Sequence, residues 1–177
     1  FSMLKEAVTM FRELGAEGAV IGILRPDGAL DMERMGALME RAKGMSVTLH
    51  RAFDVCRDPH EALEAAISLG MNTILTSGQK NDSLSGASLL GELVSESRDR
   101  IVIQAGGGVN VDVIRKLYEK TGARAYHMSG KRTIDSAMRY RREDVNMGIG
   151  GISEYEIWRT DEQAIRAAHD VLEELLG

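Results

Sequence analysis

The feature that most constrains this chain is a repeated switch of hydrophobic period. Short β-branched runs at Ala19–Leu24, Ser46–Phe53, Asn72–Thr76, Arg100–Ala105 and Arg124–Ser129 begin about 24 to 28 residues apart. Amphipathic stretches lie between them, and only the last run is separated from its helix by a long insert, Gly130–Arg159. A strand followed by a helix at that pitch is a βα unit. Strands joined in this way pair in parallel through right-handed crossovers. The even pitch favours a (β/α)8 barrel over an open doubly wound sheet. Eight such units need roughly 250 residues. The 177 residues therefore read as a single partial domain, 1–177, holding strands 4–8 of a TIM barrel. The chain starts at Phe1 on a helical pattern, so an N-terminal segment is expected to be absent from it.

The helices carry their own start and stop signals. Leu4, Ala7, Val8, Phe11 and Leu14 make one apolar face, closed by Gly15. Asp31 is placed to cap a second helix, built on Met35, Leu38, Met39 and Ala42. Asp58 with Pro59 and Glu61 reads as a strong start for a third. A fourth is expected near Ala87–Ser97, a fifth after Asn110, and a last one opened by Thr160 and Gln163.

Composition narrows the function. Hydrophobic residues at 44% and charged residues at 28% describe a globular chain. A net charge of -5 argues against general nucleic-acid binding, which needs a basic face. No apolar run approaches the ~20 residues of a membrane span. The lone Cys56 excludes an internal disulfide and a thiolate-rich metal cage, and it fits a reducing, cytoplasmic setting.

In a barrel, chemistry sits where strands end. In Val47–Asp54, alternation sends Val47 and Leu49 to the helices and Thr48 and His50 into the lumen, with Arg51 and Asp54 at the mouth. Imidazole exchanges a proton near neutral pH, and guanidinium grips a carboxylate or phosphate. Thr76, Ser77 and Gly78 end the third run, where small residues leave amides open to an anion. Gly106, Gly107 and Gly108 end the fourth, just before a helix whose N-terminus favours negative charge. His127 and Ser129 share a face of the fifth, read as inward. Lys131, Arg132, Arg139, Arg141 and Arg142 add a local basic cluster. A metal site shared by Cys56 and a histidine would rest on a thin ligand set. Met32, Met35 and Met39 have the spacing of core packing.

Taken in order, Gly18–Gly22, Val47–Asp54, Leu75–Gly78, Ala105–Val109, His127–Ser129 and Ser153–Tyr155 resemble the CutC family, named for copper homeostasis. The resemblance spans essentially the whole chain. It implies a cytosolic (β/α)8 barrel, a part in copper homeostasis and Cu(I) as the ion handled. It also implies that the cysteines proposed as copper ligands lie in early strands, and Cys56 does not match them. Where alanine and arginine are expected directly after Ser129, this chain has Gly130-Lys131.

Three readings follow. The first is a copper-homeostasis protein, acting on the ion directly or indirectly. The second is a barrel enzyme for a small phosphorylated or carboxylated substrate. In it His50 or His127 is the general acid/base, Arg51 orients substrate, Asp54 orients Arg51 or a histidine, and Thr76, Ser77, Gly106, Gly107, Gly108 and Ser129 bind the anion. The third is a non-catalytic homo-oligomeric scaffold.

Overall fold

A computed structural model describes residues 1–142, 144, 145, 147, 148 and 153–177. The elements run α1 (Ser2–Glu13), β1 (Gly18–Ile21), α2 (Met32–Arg41), β2 (Ser46–Leu49), a 3-10 turn (Arg51–Val55), α3 (Pro59–Ser68), β3 (Thr73–Thr76) and α4 (Ala87–Ser97). They continue with β4 (Val102–Gly106), α5 (Val111–Thr121), β5 (Ala125–His127), β6 (Lys131–Asp135), β7 (Glu156–Thr160) and α6 (Glu162–Leu176). Strands β1 to β5 form one parallel sheet in strict chain order. The strands wind in a single direction with no reversal, as they do in a (β/α)8 barrel; a doubly wound sheet would change direction. Among the described residues, this parallel sheet has five strands.

Capping chemistry sets the helix starts. Asp31 accepts from the Arg34 N–H at 3.0 Å, Asn110 from Val113 at 3.0 Å, and Asp58 from both His60 at 2.9 Å and Glu61 at 3.0 Å. Each such cap contributes about 1 kcal/mol. The Glu61 carboxylate does not reach back to Asp58 as a capping box would; it pairs with Arg57 at 2.9 Å. The last helix is capped by Asp161, not Thr160: its carboxylate accepts from Gln163 and Ala164. Thr160 instead ends β7.

The helices cover one face of the sheet. Ile21, Val47, Leu49, Ile74, Ile103 and Ala105 point to them and are buried, together with Met35, Leu38, Leu63, Leu90 and Leu93. This is the helix-side face expected of Val47 and Leu49. Met35 is fully buried and Met39 packs against the core, but Met32 is exposed at the start of α2. The other face is open. Val20 is 63% exposed and Val102 50%, and Thr48, Thr73, Leu75 and Gln104 on the same side are only half-buried. The apolar stripe of α1 divides likewise: Val8 is buried, while Met3, Leu4, Met10, Phe11 and Leu14 are exposed.

The insert after β5 holds structure that periodicity did not reveal. β6 and β7 pair antiparallel, from Lys131 opposite Thr160 to Asp135 opposite Glu156. Nearly every residue of the two strands is exposed, so no burial pattern marks them in the sequence. Residues 143, 146 and 149–152 of the insert lie outside the described residues. Of its basic residues, Arg141 is engaged by Asp135 at 2.5 Å and lies over the Tyr155 ring, while Lys131 sits 3.3 Å from the Trp158 ring centroid.

Candidate functional site

The segments at the C-terminal ends of β2 and β3 converge on one carboxylate, and the glycine turn after β4 lies beside the arginine paired with it. The sequence after β2 leaves its strand at His50 and turns into the short 3-10 segment, which is anchored by the fully buried Phe53 ring. This brings Arg51 and Asp54, three residues apart, to one side of the turn. The Asp54 side chain is 8% exposed. Its Oδ1 accepts from the Thr76 hydroxyl at 2.5 Å, the Ser77 N–H at 2.9 Å and the Gln79 N–H at 3.3 Å. Its Oδ2 accepts from Arg51 Nε at 2.5 Å, with Ser77 Oγ at 3.0 Å. Burial pushes the Asp54 carboxyl up, but the donors from Thr76, Arg51, Ser77 and Gln79 outweigh it and hold the group below the usual range.

The loop after β3 therefore does enclose an anion, and that anion is Asp54. Thr76 and Ser77 are fully buried. The Gly78 N–H is taken by Thr76 Oγ1 at 2.9 Å, so the amides of Ser77, Gly78 and Gln79 are all engaged inside the protein. The Ser77 hydroxyl accepts from Arg51 Nη2 at 2.8 Å and lies 2.5 Å from the Lys80 carbonyl. Thr76 and Ser77 thus build the support beneath the mouth, not its surface.

Arg51 is fixed along one edge and open along the other. Nε and Nη2 are held by Asp54, Ser77 and the Lys80 carbonyl. Nη1 makes no hydrogen bond among the described residues, and it lies 3.5 Å from where a Cβ on Gly107 would stand. Gly107 and Gly108 adopt φ of +96° and +71°, which side chains rarely tolerate. Their N–H groups donate to no acceptor among the described residues. The Gly107 carbonyl is pinned by Ser83, through its N–H and its hydroxyl, both at 2.9 Å. Gly106 ends β4 and is buried, paired in register with His127.

The histidines sit apart. His50 is half-buried at the end of β2, and its Nδ1 accepts from the Ala52 N–H at 3.0 Å. Glycine at position 22 makes room for it, since a Cβ there would stand 2.7 Å from His50 Cε1. His127 lies on β5, on the same open side of the sheet, and is exposed, as is Ser129 beyond it. Cys56 lies at the C-terminal end of the 3-10 turn. It is buried beneath the 3-10 turn, where the Gln79 amide reaches its sulfur at 3.3 Å and its carbonyl at 3.0 Å. Burial pushes its thiol pKa up. The structure places no histidine on it.

Sequence reading missed Gln79, Ser83 and Gly22. Gln79 and Ser83 fall in a polar loop where composition alone does not separate solvent-facing side chains from buried ones. A signal was present in the glycine at the end of β1, opposite a histidine.

A one-direction parallel βα sheet with a clamped arginine and a glycine turn at its strand ends defines an α/β protein whose polar groups gather where the strands end. The chain belongs to the CutC family, whose profile matches residues 1–132. It is 45% identical over 167 residues to the family protein CutC of Parabacteroides distasonis, covering 94% of this chain and 68% of that protein. It is 48% identical over 156 residues to the one of Bacteroides fragilis, covering 88% and 62%. The chain thus spans about two thirds of the length of these relatives. A solved CutC structure from Streptococcus agalactiae, whose title names copper homeostasis, has a TM-score of 0.66 and 28% identity over 70% of this chain and 60% of that one. A structure titled native KDPGal shares the fold, with a TM-score of 0.58 and 18% identity over 97% of this chain and 66% of that one.

Proposed function

We propose that this chain contributes to copper homeostasis through a barrel mouth that binds a small phosphorylated or carboxylated molecule. The observation that carries the reading is Arg51. Asp54 and Ser77 hold one edge of its guanidinium, and the free Nη1 edge lies beside the unengaged amides of Gly107 and Gly108. A rigid fork beside two amides suits an oxyanion. Asp54, Thr76 and Ser77 act as positioning residues. His50 and His127, on the open face, are the groups available for acid/base work, and Gly106 and Ser129 border the same strand ends.

The five βα units correspond in this reading to strands 4–8 of an eight-stranded barrel. Parallel sheets are normally covered on both faces. The open sheet face and the exposed stripe of α1 support this assignment, as does the fraction of its relatives' length that the chain spans. A cytoplasmic setting and self-association belong to the same reading. No helix among the described residues is long and apolar enough to cross a membrane.

The ion itself finds little here. Cu(I) prefers thiolate and thioether donors. Cys56 is buried, and its sulfur accepts from the Gln79 amide. The one grouping of His, Cys, Asp and Glu among the described residues, His169, Asp170 and Glu173 on α6, is exposed and offers no sulfur. Copper handling by these residues is therefore indirect in this reading.

Two measurements test it. Inorganic phosphate titrated into 15N-labelled protein should shift the Gly107 and Gly108 amides, and Arg51→Gln should weaken that binding about tenfold or more. Unmoved glycine amides at tens of millimolar phosphate would remove the anion reading. An anaerobic Cu(I) titration against a competing chelator should find no stoichiometric site that Cys56→Ser abolishes. A tight site lost in that variant would make copper binding direct.

A further inference from the structure

His50 and His127 share a face, but their surroundings differ, and the difference divides the acid and base roles left open above. His50 caps the 3-10 turn with its own ring: Nδ1 accepts the Ala52 N–H at 3.0 Å. An acceptor nitrogen carries no proton, so the neutral ring holds its proton on Nε2. That Nε2–H has no hydrogen-bond partner among the described residues, on a ring that is only half-buried. The ring is also fixed in place. The Ala52 bond holds one side, and the floor at Gly22 is so close that a Cβ there would meet Cε1 at 2.7 Å and Nδ1 at 2.8 Å. A mobile surface histidine would have neither constraint.

We infer that His50 presents Nε2–H as a fixed hydrogen-bond donor to a neutral oxygen of the ligand, and does not serve as the general base. This rests on the small-anion reading of the mouth and adds to it the class of molecule. The anionic group lies toward Gly107 and the Nη1 edge of Arg51, at the end of β4. An uncharged oxygen, a carbonyl or a hydroxyl, lies toward His50 and Gly22, at the ends of β2 and β1. His127 has no hydrogen bond to its ring among the described residues and is the histidine left for the base role.

The tautomer is read directly. Long-range 1H–15N correlation spectra of the neutral protein should give His50 the Nε2–H pattern; an Nδ1–H pattern would overturn the inference. The ligand contact is read with propyl phosphate and acetonyl phosphate, which differ by one carbonyl oxygen. The wild-type protein should bind acetonyl phosphate about tenfold more tightly, the size of one well-made hydrogen bond in a partly enclosed site. His50→Phe should erase that preference. Phenylalanine also removes the bond to Ala52, so His50→Gln is the companion variant. Its amide offers both an acceptor and a donor, and it should keep a preference of about threefold. Equal binding of the two phosphates by wild type, or a preference that survives His50→Phe, overturns the inference and leaves the mouth reading standing. Failure of both phosphates to bind overturns both.

Discussion

Asp54→Ala should be the most damaging substitution of a polar residue in this chain, lowering stability by about 3 to 5 kcal/mol. The carboxylate is 8% exposed and accepts from Thr76 Oγ1, the Ser77 and Gln79 amides and Arg51 Nε. Alanine leaves the buried donors of the β3 loop without an acceptor, and water has little room to replace it. Asp54→Asn keeps the shape but turns an NH2 toward donors, and should cost about 2 to 3 kcal/mol. Domains of this size are stable by only about 5 to 15 kcal/mol, so either change should move a urea midpoint visibly. The effect depends on pH in a definite direction. Asp54 has its carboxyl held below the usual range in the folded chain, so it binds fewer protons folded than unfolded. Its contribution is complete above the unfolded value of about 3.9 and disappears as pH falls through the folded value. The gap between wild type and Asp54→Asn should therefore be constant from neutral pH to about pH 5 and narrow below it. A gap that stays fixed down to pH 3, or an Asp54→Ala cost under about 1 kcal/mol, would show that the loop does not depend on this charge.

The same carboxylate marks how much of the site the sequence made legible. Residue types in Val47–Asp54 placed Arg51 and Asp54 at a strand end, and alternation placed Val47 and Leu49 against the helices; both positions hold. What spacing along one strand cannot supply is the partner across strands. Gly-Ser-Thr loops that face solvent and ones that wrap a neighbour's carboxylate have the same composition, so the anion expected at Thr76 and Ser77 could not be recognised as an internal one. Helix positions were legible because caps and apolar periodicity act within a few residues: Ala87–Ser97 and the Asn110 cap stand as expected. Thr160 and Asp161 are both good caps, and only the pairing of β7 with β6 assigns Thr160 to a strand. The hairpin itself was invisible because its strands bury almost nothing, and alternation is a signal only where one face is buried.

Phe53→Ala should cost about 3 to 5 kcal/mol, although Phe53 makes no side-chain contact with ligand in the proposed mouth. Its ring is fully buried and belongs to the main core, beneath a turn of only five residues. Such a short 3-10 segment has little stability of its own. The ring is what ties it to the core between sheet and helices, and the Phe53 carbonyl accepts from the Gln79 amide at 3.3 Å. Removing the ring leaves a void that this close-packed layer cannot fill, and frees the residues that precede and follow it. Arg51 and Asp54 flank Phe53 in the same turn, so their pairing should loosen with it. Two readouts separate this from simple loss of core. Phe53→Leu keeps much of the volume and should cost about 1.5 kcal/mol or less, with phosphate shifts at Gly107 and Gly108 retained. Phe53→Ala, studied under conditions where it remains folded, should lose those shifts about as fully as Arg51→Gln does. If instead Phe53→Ala is destabilised but binds phosphate like wild type, the turn holds its shape through Asp54 alone, and the ring serves the core without serving the mouth.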